Sequence, residues 1–287
     1  TYATLNMLVN IGNNRYRLID FWTGTYRAAT GSGTLNTLPI AVAPYAVKFE
    51  KRLLVKTMFL VLFFATIQYM FMLGTRTQFA ILLLIVILAA LQFAYSEQGI
   101  AGVLKCIGIM AVISLIAFLL YHFNVLSIRD YILSTNLAAR YERRASLENS
   151  DSFRFQSFWI GLRELIQYPM GGRASQIYRH NMWLDVGRVS GIIPFCLLLV
   201  YSIKNFANVT AIWKNTKILP SLRYLLLFLY IGAYVNCFVE PIWEGALNFF
   251  LALCVVDGMV SAMMRRLKND PIPEESVSDT SNLHTDL

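Results

Sequence analysis

The sequence predicts an all-α fold, a polytopic bundle of transmembrane helices with one long extracytoplasmic loop that itself contains an amphipathic helix. Three observations lead there. Hydrophobic residues make up 56% of the 287 and aromatics 14%, with a mean hydropathy of +0.52, above the apolar share of a soluble domain. Apolar runs long enough to cross a bilayer, which takes roughly 17 to 25 helical residues, recur along the chain. The basic residues between those runs are shared unequally by alternate loops.

Residues 1–34 precede the first run and are expected outside the membrane. Thr1 is not an initiator methionine and no signal peptide precedes the first run, so the chain reads as the later part of a longer protein with further spans before it. Residues 35–126 hold four predicted spans. The first, 35–49, contains Pro39 and Pro44, which a membrane helix tolerates among neighbours. The next three are 53–73, 79–95 and 103–126. Residues 127–181 form the long loop. Residues 182–264 hold three more spans, 182–206, 218–239 and 242–264, for seven in all. Residues 265–287 are polar, acidic and poor in apolar side chains beyond Lys268, and read as a disordered cytoplasmic tail in which His284 has no visible partner. Cys106, Cys196, Cys237 and Cys254 lie inside apolar runs at no metal-binding or CxxC spacing, and read as buried free thiols.

The net charge of +8 gains meaning when divided among loops. Short loops set orientation. Lys48, Lys51, Arg52 and Lys56 precede the second span, Lys105 the fourth, Lys204, Lys214, Lys217 and Arg223 lie around the fifth-to-sixth connection, and Arg265, Arg266 and Lys268 follow the last. That side is expected to be cytoplasmic. It holds all eight lysines, whereas the long outer loop is basic through arginine alone, with Arg129, Arg140, Arg143, Arg144, Arg154, Arg163, Arg173, Arg179 and, at its end, Arg188. A guanidinium is a planar fork that grips phosphate bidentately, while an ammonium is a point charge. Two ordinary uses stand beside phosphate binding: contact with anionic headgroups, and pairing with Asp130, Glu142, Glu148, Asp151, Glu164 or Asp185. Neither charge nor motif points to a nucleic-acid partner.

Within the loop, Ser150, Asp151 and Ser152 are N-cap types, and Tyr168-Pro169 followed by Gly171-Gly172 is a stop. The intervening helix carries Phe155, Phe158, Trp159, Leu162, Leu165 and Ile166 on one arc and Gln156, Arg163, Glu164 and Gln167 on the other. It is expected to lie on the membrane surface or over the spans, with Arg154 at the edge of the apolar arc and better placed than Arg163 to point inward. The next stretch, RHNMWLDVGRVSG, puts His180, Leu184, Gly187 and Gly191 on one helical face and Asn181, Asp185 and Arg188 on the adjoining one, if the helix begins near His180. Gly187 and Gly191 have the spacing that lets helices approach closely. His180 has an ordinary reading, an interfacial cap, and a functional one, favoured by its polar neighbours beside lipid. Arg76, in the hairpin LGTRTQ, belongs to the same side, where snorkelling would also account for it. Glu240 and Glu244 in EPIWEG share an outer face and Asp257 lies within the last span; capping and pairing with basic neighbours are the readings set against sugar or proton binding.

The order GTRTQFA, then RFQSFW in the long loop, then a P-x-G-G turn, HN-x2-L-D and G-x3-G-I-I-P-F resembles the O-antigen ligase and polymerase superfamily of bacterial surface-polysaccharide enzymes. The likeness runs over about residues 27–206, and RAATGSGTLNTL is similar to an earlier loop of that family. It departs at Gly74-Thr75, where the family has a small pair around a serine, and at Gly171-Gly172-Arg173, where it has G-x-G. The resemblance implies a GT-C-like bundle in the bacterial plasma (inner) membrane, with its active site on the extracytoplasmic face and its C-terminus in the cytoplasm.

The implied activity is that of an inverting glycosyltransferase passing a glycan from undecaprenyl pyrophosphate to an acceptor hydroxyl, for O-antigen, capsule or exopolysaccharide synthesis. The resemblance assigns Arg76 and Arg154 to the pyrophosphate and His180 to the acceptor. Asn181 and Asp185 are expected to orient the histidine or bind sugar, Arg188 to pair with Asp185, and Arg140 and Arg143 to support substrate binding. A departing diphosphate needs cationic stabilisation more than a proton, so no metal and no other cofactor is expected, and turnover in EDTA follows. The partners are the lipid-linked donor, the glycan acceptor, membrane lipid and a chain-length regulator protein. The polymerase is preferred because its relatives vary more in sequence; the ligase is its sister reading. A transporter of lipid-linked sugars is the rival, disfavoured because the spans show no internal duplication.

Overall fold

The computed structural model describes residues 2–10, 18–27, 29–145, 150–175 and 177–269. The predicted tail beyond residue 269 and His284 therefore lie outside the described residues. Among those described, the chain is helical apart from one small hairpin. Helix α1 (Tyr2–Val9) is followed by β1 (Leu18–Ile19) and β2 (Tyr26–Arg27), paired antiparallel, and then by α2 (Ala29–Thr34) and α3 (Thr37–Phe49). Next come α4 (Leu53–Leu73), α5 (Arg76–His122), a single 3-10 turn, α6 (Ile128–Ser134), α7 (Asn136–Ala145) and α8 (Ser150–Gln167). The chain closes with α9 (Met182–Ser190), α10 (Ile192–Lys214), α11 (Pro220–Val239), α12 (Ile242–Gly245) and α13 (Leu247–Asn269). Helices α4, α5, α10, α11 and α13 are long and apolar enough to cross a membrane.

Five of the seven expected spans differ from the sequence reading, each for a local backbone reason. Helix α3 has 13 residues, about 20 Å at 1.5 Å per residue, short of the ~30 Å of a hydrocarbon core. It is a buried helix rather than a full span, with Ile40, Ala41 and Ala46 at or near zero exposure against its neighbours. The third and fourth runs are two arms of α5, because the helix passes through Tyr95–Gln98 and breaks only at Gly99 (φ 59°, ψ −142°). A Cβ on Gly102 would sit 2.3 Å from the Ala94 carbonyl oxygen. Residues eight apart along a straight helix are about 12 Å apart, so the chain doubles back at Gly99. The fifth run is cut at Gly191 (φ 95°), which divides nine-residue α9 from α10. The seventh is cut after the single turn of α12, and its long helix starts at Leu247.

The bundle's two ends differ in what joins them. At one end Phe49, Phe93, Trp213, Tyr224 and Phe228 meet ring to ring, with Lys48 paired to Glu97 beside them. This end gathers the last turn of α3, the bend of α5, the end of α10 and the start of α11. At the other end the links are polar. The Asn236 side chain, fully buried on α11, donates to Thr37 Oγ1 (2.5 Å) on α3 and to the Gly232 carbonyl (3.0 Å), and accepts from Gln78 Nε2 (2.9 Å) on α5. Thr77 donates to Glu240. Asn136 of α7 donates to the Met72 carbonyl (2.7 Å), and Gly31 and Gly33 of α2 lie close against Gly245 and against Thr75 and Gln78. The first turns of α3 and α5 are thus pinned to the end of α11.

Replacing Asn236 with Leu leaves the amide of Gln78 and the hydroxyl of Thr37 buried without this partner. The expected loss is about 1 to 3 kcal/mol, the cost of stranding buried polar groups. Thermal unfolding in detergent reads it as a lowered midpoint.

Candidate functional site

The residues between Tyr168 and Arg188 build a compact polar mouth. Its first element is the cap of α9. Asn181 is extended (φ −150°, ψ 119°), and its Oδ1 accepts the Leu184 N–H at 3.1 Å, as an N-cap asparagine should. Its Nδ2 donates to the Phe238 carbonyl at 3.2 Å, which fixes the start of α9 against the end of α11. Trp183 donates through Nε1 to Ser202 of α10 at 3.0 Å.

The far end of α9 is capped by the Pro-x-Gly-Gly turn. Gly172 N–H donates to the Val189 carbonyl (2.9 Å), Arg173 N–H to that of Arg188 (3.1 Å), and Ile192 N–H to that of Pro169 (2.8 Å). Gly171 must be glycine here: its φ is 77°, and a Cβ would lie 2.5 Å from the Gly191 nitrogen. Helix α8 packs alongside. A Cβ on Gly187 would reach 2.3 Å from Leu165 Cδ2, and one on Gly161 3.0 Å from Leu184 Cδ1. The glycine pair at 187 and 191 therefore admits α8 and its following turn.

The predicted arcs of α8 are rotated. The helix runs from Ser150 to Gln167 as the caps predict, but Ser157, Gly161, Glu164 and Leu165 face the protein, while Phe155 (67% exposed), Trp159 and Ile166 face outward. Glu164 is buried because Arg179 meets it with a two-pronged pair, Nη2–Oε1 at 2.7 Å and Nε–Oε2 at 3.1 Å. A buried carboxylate needs such a partner. The sequence reading named Glu164 among the carboxylates that loop arginines could pair with, without matching it to Arg179. The available signal was the stripe Ser157, Gly161 and Glu164 at helical spacing, since small residues mark a close-packing face.

His180 stands outside the helix that the sequence placed it on. Its backbone is left-handed (φ 55°), unusual for a non-glycine residue and a type of strain that clusters at functional sites. Its half-buried ring lies edge-on to Tyr178 at 4.7 Å. Asp185 is fully buried; its Oδ1 accepts the Arg179 N–H (2.6 Å) and lies 3.7 Å from Arg188 Nε. Burial pushes this carboxyl above the usual carboxylate range, against the lowering pull of the Arg179 N–H and the Arg188 guanidinium. Arg188, also buried, donates to the carbonyls of Arg173 (2.5 Å) and Ala174 (3.0 Å) and pairs with Glu244. Its tie to Asp185 is thus one contact among several.

Arg76 is the first residue of α5, half-buried, with a guanidinium nitrogen out of solvent. Its neighbour Thr77 bonds Glu240, two residues from the Phe238 carbonyl that holds Asn181. The 236–244 segment therefore backs both the Arg76 turn and the His180 turn. Two helix N-termini, those of α5 and α9, open at this end, and such termini favour anions. Arg140 and Arg143 belong to α7 and Arg154 to α8, while their side chains lie outside what is described.

Arg179→Ala strands Glu164 and is expected to destabilise by about 3 to 5 kcal/mol, whereas Arg179→Met with Glu164→Leu restores most of the loss; chemical denaturation of the three proteins compares them. Asp185 holds its proton more tightly folded than unfolded, so its contribution to stability falls as pH rises from the ordinary carboxylate pKa through its elevated one. The stability difference, wild type minus Asp185→Asn, should decline across that window and level off above it, as read by unfolding at stepped pH. In comparisons with known proteins, no family model matches the chain and no well-characterised protein matches it.

Proposed function

We propose that this protein is a membrane glycosyltransferase that moves a glycan from undecaprenyl pyrophosphate to an acceptor hydroxyl, acting as the polymerase that joins lipid-linked repeat units. The observation that carries the reading is the backing of the Arg76 turn and the left-handed His180 turn by one segment, residues 236–244, at one end of an apolar bundle. The arginine-rich end is read as extracytoplasmic and the end bearing Lys48 as cytoplasmic, in a bacterial plasma membrane.

In this reading the acceptor oxygen bonds the anomeric carbon as the bond from that carbon to the diphosphate oxygen breaks, with inversion. His180 takes the hydroxyl proton, a contribution of typically 10² to 10⁴ in rate for a positioned base. The diphosphate leaves with the bonding electrons and is stabilised by Arg76 and Arg154 together with the positive end of α5. Asn181, engaged at both ends of its amide, positions His180 by fixing the residue that follows it. Arg188 and Asp185 hold the turn around the acceptor side, and Arg140 and Arg143 add positive charge along the loop. Guanidinium groups supply the cationic stabilisation, so the chemistry calls for no metal.

Purified protein given a defined undecaprenyl-linked oligosaccharide is expected to form a ladder of longer lipid-linked products, unchanged by EDTA. His180→Ala should lower the rate by about 10² to 10⁴, and Arg76→Ala and Arg154→Ala should also lose transfer. Wild-type rates in His180→Ala, or activity abolished by EDTA and restored by a divalent cation, would overturn the mechanism. Transfer of a finished glycan to another acceptor without ladder formation would mark a ligase instead.

A further inference from the structure

Helices α3 and α4 enclose an apolar groove of about 510 Å³, within the range of small-molecule sites. Pro39 and Val42 of α3 face Phe59, Leu62 and Phe63 of α4 across it, and Asn36 stands in its wall. Leu38, at its rim, is 44% exposed, so the groove opens sideways from the bundle.

Two anomalies stand where α3 and α5 begin, one of them, Asn36, in the groove's wall and the other, Thr75, beyond its lining. Asn36 occupies the N-cap of α3 and Thr75 the N-cap of α5, the positions where such side chains ordinarily bond the first helical N–H groups, and neither does so. Both are buried, Asn36 at 1% and Thr75 at 4% exposure, and the Asn36 Nδ2 and Thr75 Oγ1 atoms have no hydrogen-bond partner among the described residues. A buried polar atom left so is costly and calls for an explanation. The two lie close together. Asn36 N–H donates to the Gly33 carbonyl at 2.9 Å, and a Cβ on Gly33 would lie 2.8 Å from Thr75 Cγ2. Arg76 follows directly. The place therefore has two uncapped helix N-termini, an unused amide donor, an unused hydroxyl and a guanidinium-bearing residue, and Asn36 joins it to the hydrocarbon-lined groove.

We propose that the groove between α3 and α4 seats the first isoprene units of the lipid-diphosphate donor, with Asn36 and Thr75 donating to its phosphate oxygens beside Arg76. This rests on the reading of the Arg76 turn as a diphosphate site. Charge complementarity selects the occupant: a chain that is apolar along the groove and anionic where α3 and α5 begin. A phosphate there satisfies the idle Asn36 and Thr75 donors and the two helix termini at once.

The test uses the full chain in lipid nanodiscs and a diazirine-bearing undecaprenyl diphosphate, with labelled peptides mapped by mass spectrometry. Labelling is expected in residues 35–43 and 59–66, displaced by unlabelled undecaprenyl diphosphate and not by the same concentration of phosphatidic acid. Val42→Trp, which fills the groove, and Leu38→Trp, at its lipid-facing rim, should each reduce that labelling at least tenfold, while Asn36→Ala and Thr75→Val weaken undecaprenyl diphosphate competition severalfold. His180→Ala should label as wild type does. Labelling spread over residues 100–122 without a peak between α3 and α4, equal displacement by phosphatidic acid, or undiminished labelling in both tryptophan variants would overturn the proposal. Groove labelling without sugar transfer would overturn the glycosyltransferase reading and leave the groove assignment standing; transfer with labelling elsewhere would do the reverse.

Discussion

The amide of Asn236 is the constraint on which the arrangement of the polar end depends. Three helices meet at it, because its three bonds reach Thr37 on α3, Gln78 on α5 and the α11 backbone. Between apolar helices there is little hydrophobic force to choose one register over another, so a buried hydrogen-bonded side chain can decide it. Each partner stands next to a residue of chemical interest. Thr37 follows Asn36, and Gln78 lies two residues beyond Arg76. Fixing the first turn of α3 and of α5 against α11 therefore fixes two helix N-termini side by side, and the next turns of α11 carry that frame to Glu240 and to the Phe238 carbonyl that receives Asn181.

The arginines divide by what their guanidinium groups meet. Arg179 and Arg188 serve the protein itself: one closes on Glu164 to bind α8 to the turn before α9, the other joins α9 to the 173–174 turn and to Glu244. For these two the pairing expected of ordinary loop arginines holds. Such buried pairs add little net stability over apolar packing of the same shape, yet breaking one half is costly. Their effect is to hold the His180 turn in a single arrangement. That turn stores a left-handed backbone at a bulky residue, which persists only when its surroundings over-determine it, and Asn181, Asp185 and the Arg179 N–H do so.

Much of this was legible in the sequence, and what was not has a common cause. Apolar runs of spanning length give α4 and α11 within a few residues, because composition and length suffice for a lipid-facing helix, whereas α10 (Ile192–Lys214) is shifted at both ends from the expected 182–206. The bounds of α8 were legible from Ser150 and Tyr168-Pro169. The breaks at Gly99 and Gly191 were not, since glycine is common inside membrane helices and nothing local distinguishes one that takes a positive φ. The face of α8 was misjudged because hydrophobicity alone was read; near a membrane the apolar side turns to lipid and the small side to protein, and Glu164 followed its partner inward. The sequence set His180, Asn181, Asp185 and Arg188 in one polar stretch, but where Asn181 and Arg188 are anchored depends on Phe238 and Glu244, far away in sequence. Pairings of that kind leave no spacing to find.

On the proposed reading, residues 236–244 bring the Arg76 turn, as the diphosphate site, and the His180 turn, as the base, to one chamber. Cryo-electron microscopy of the protein with undecaprenyl diphosphate bound tests it most directly. The account predicts phosphate density within about 3 Å of the Arg76 guanidinium, a hydrogen-bond distance, with His180 facing the same enclosed space. Density for the diphosphate at another helix end, or a wall of packed side chains between residues 76 and 180, would contradict it.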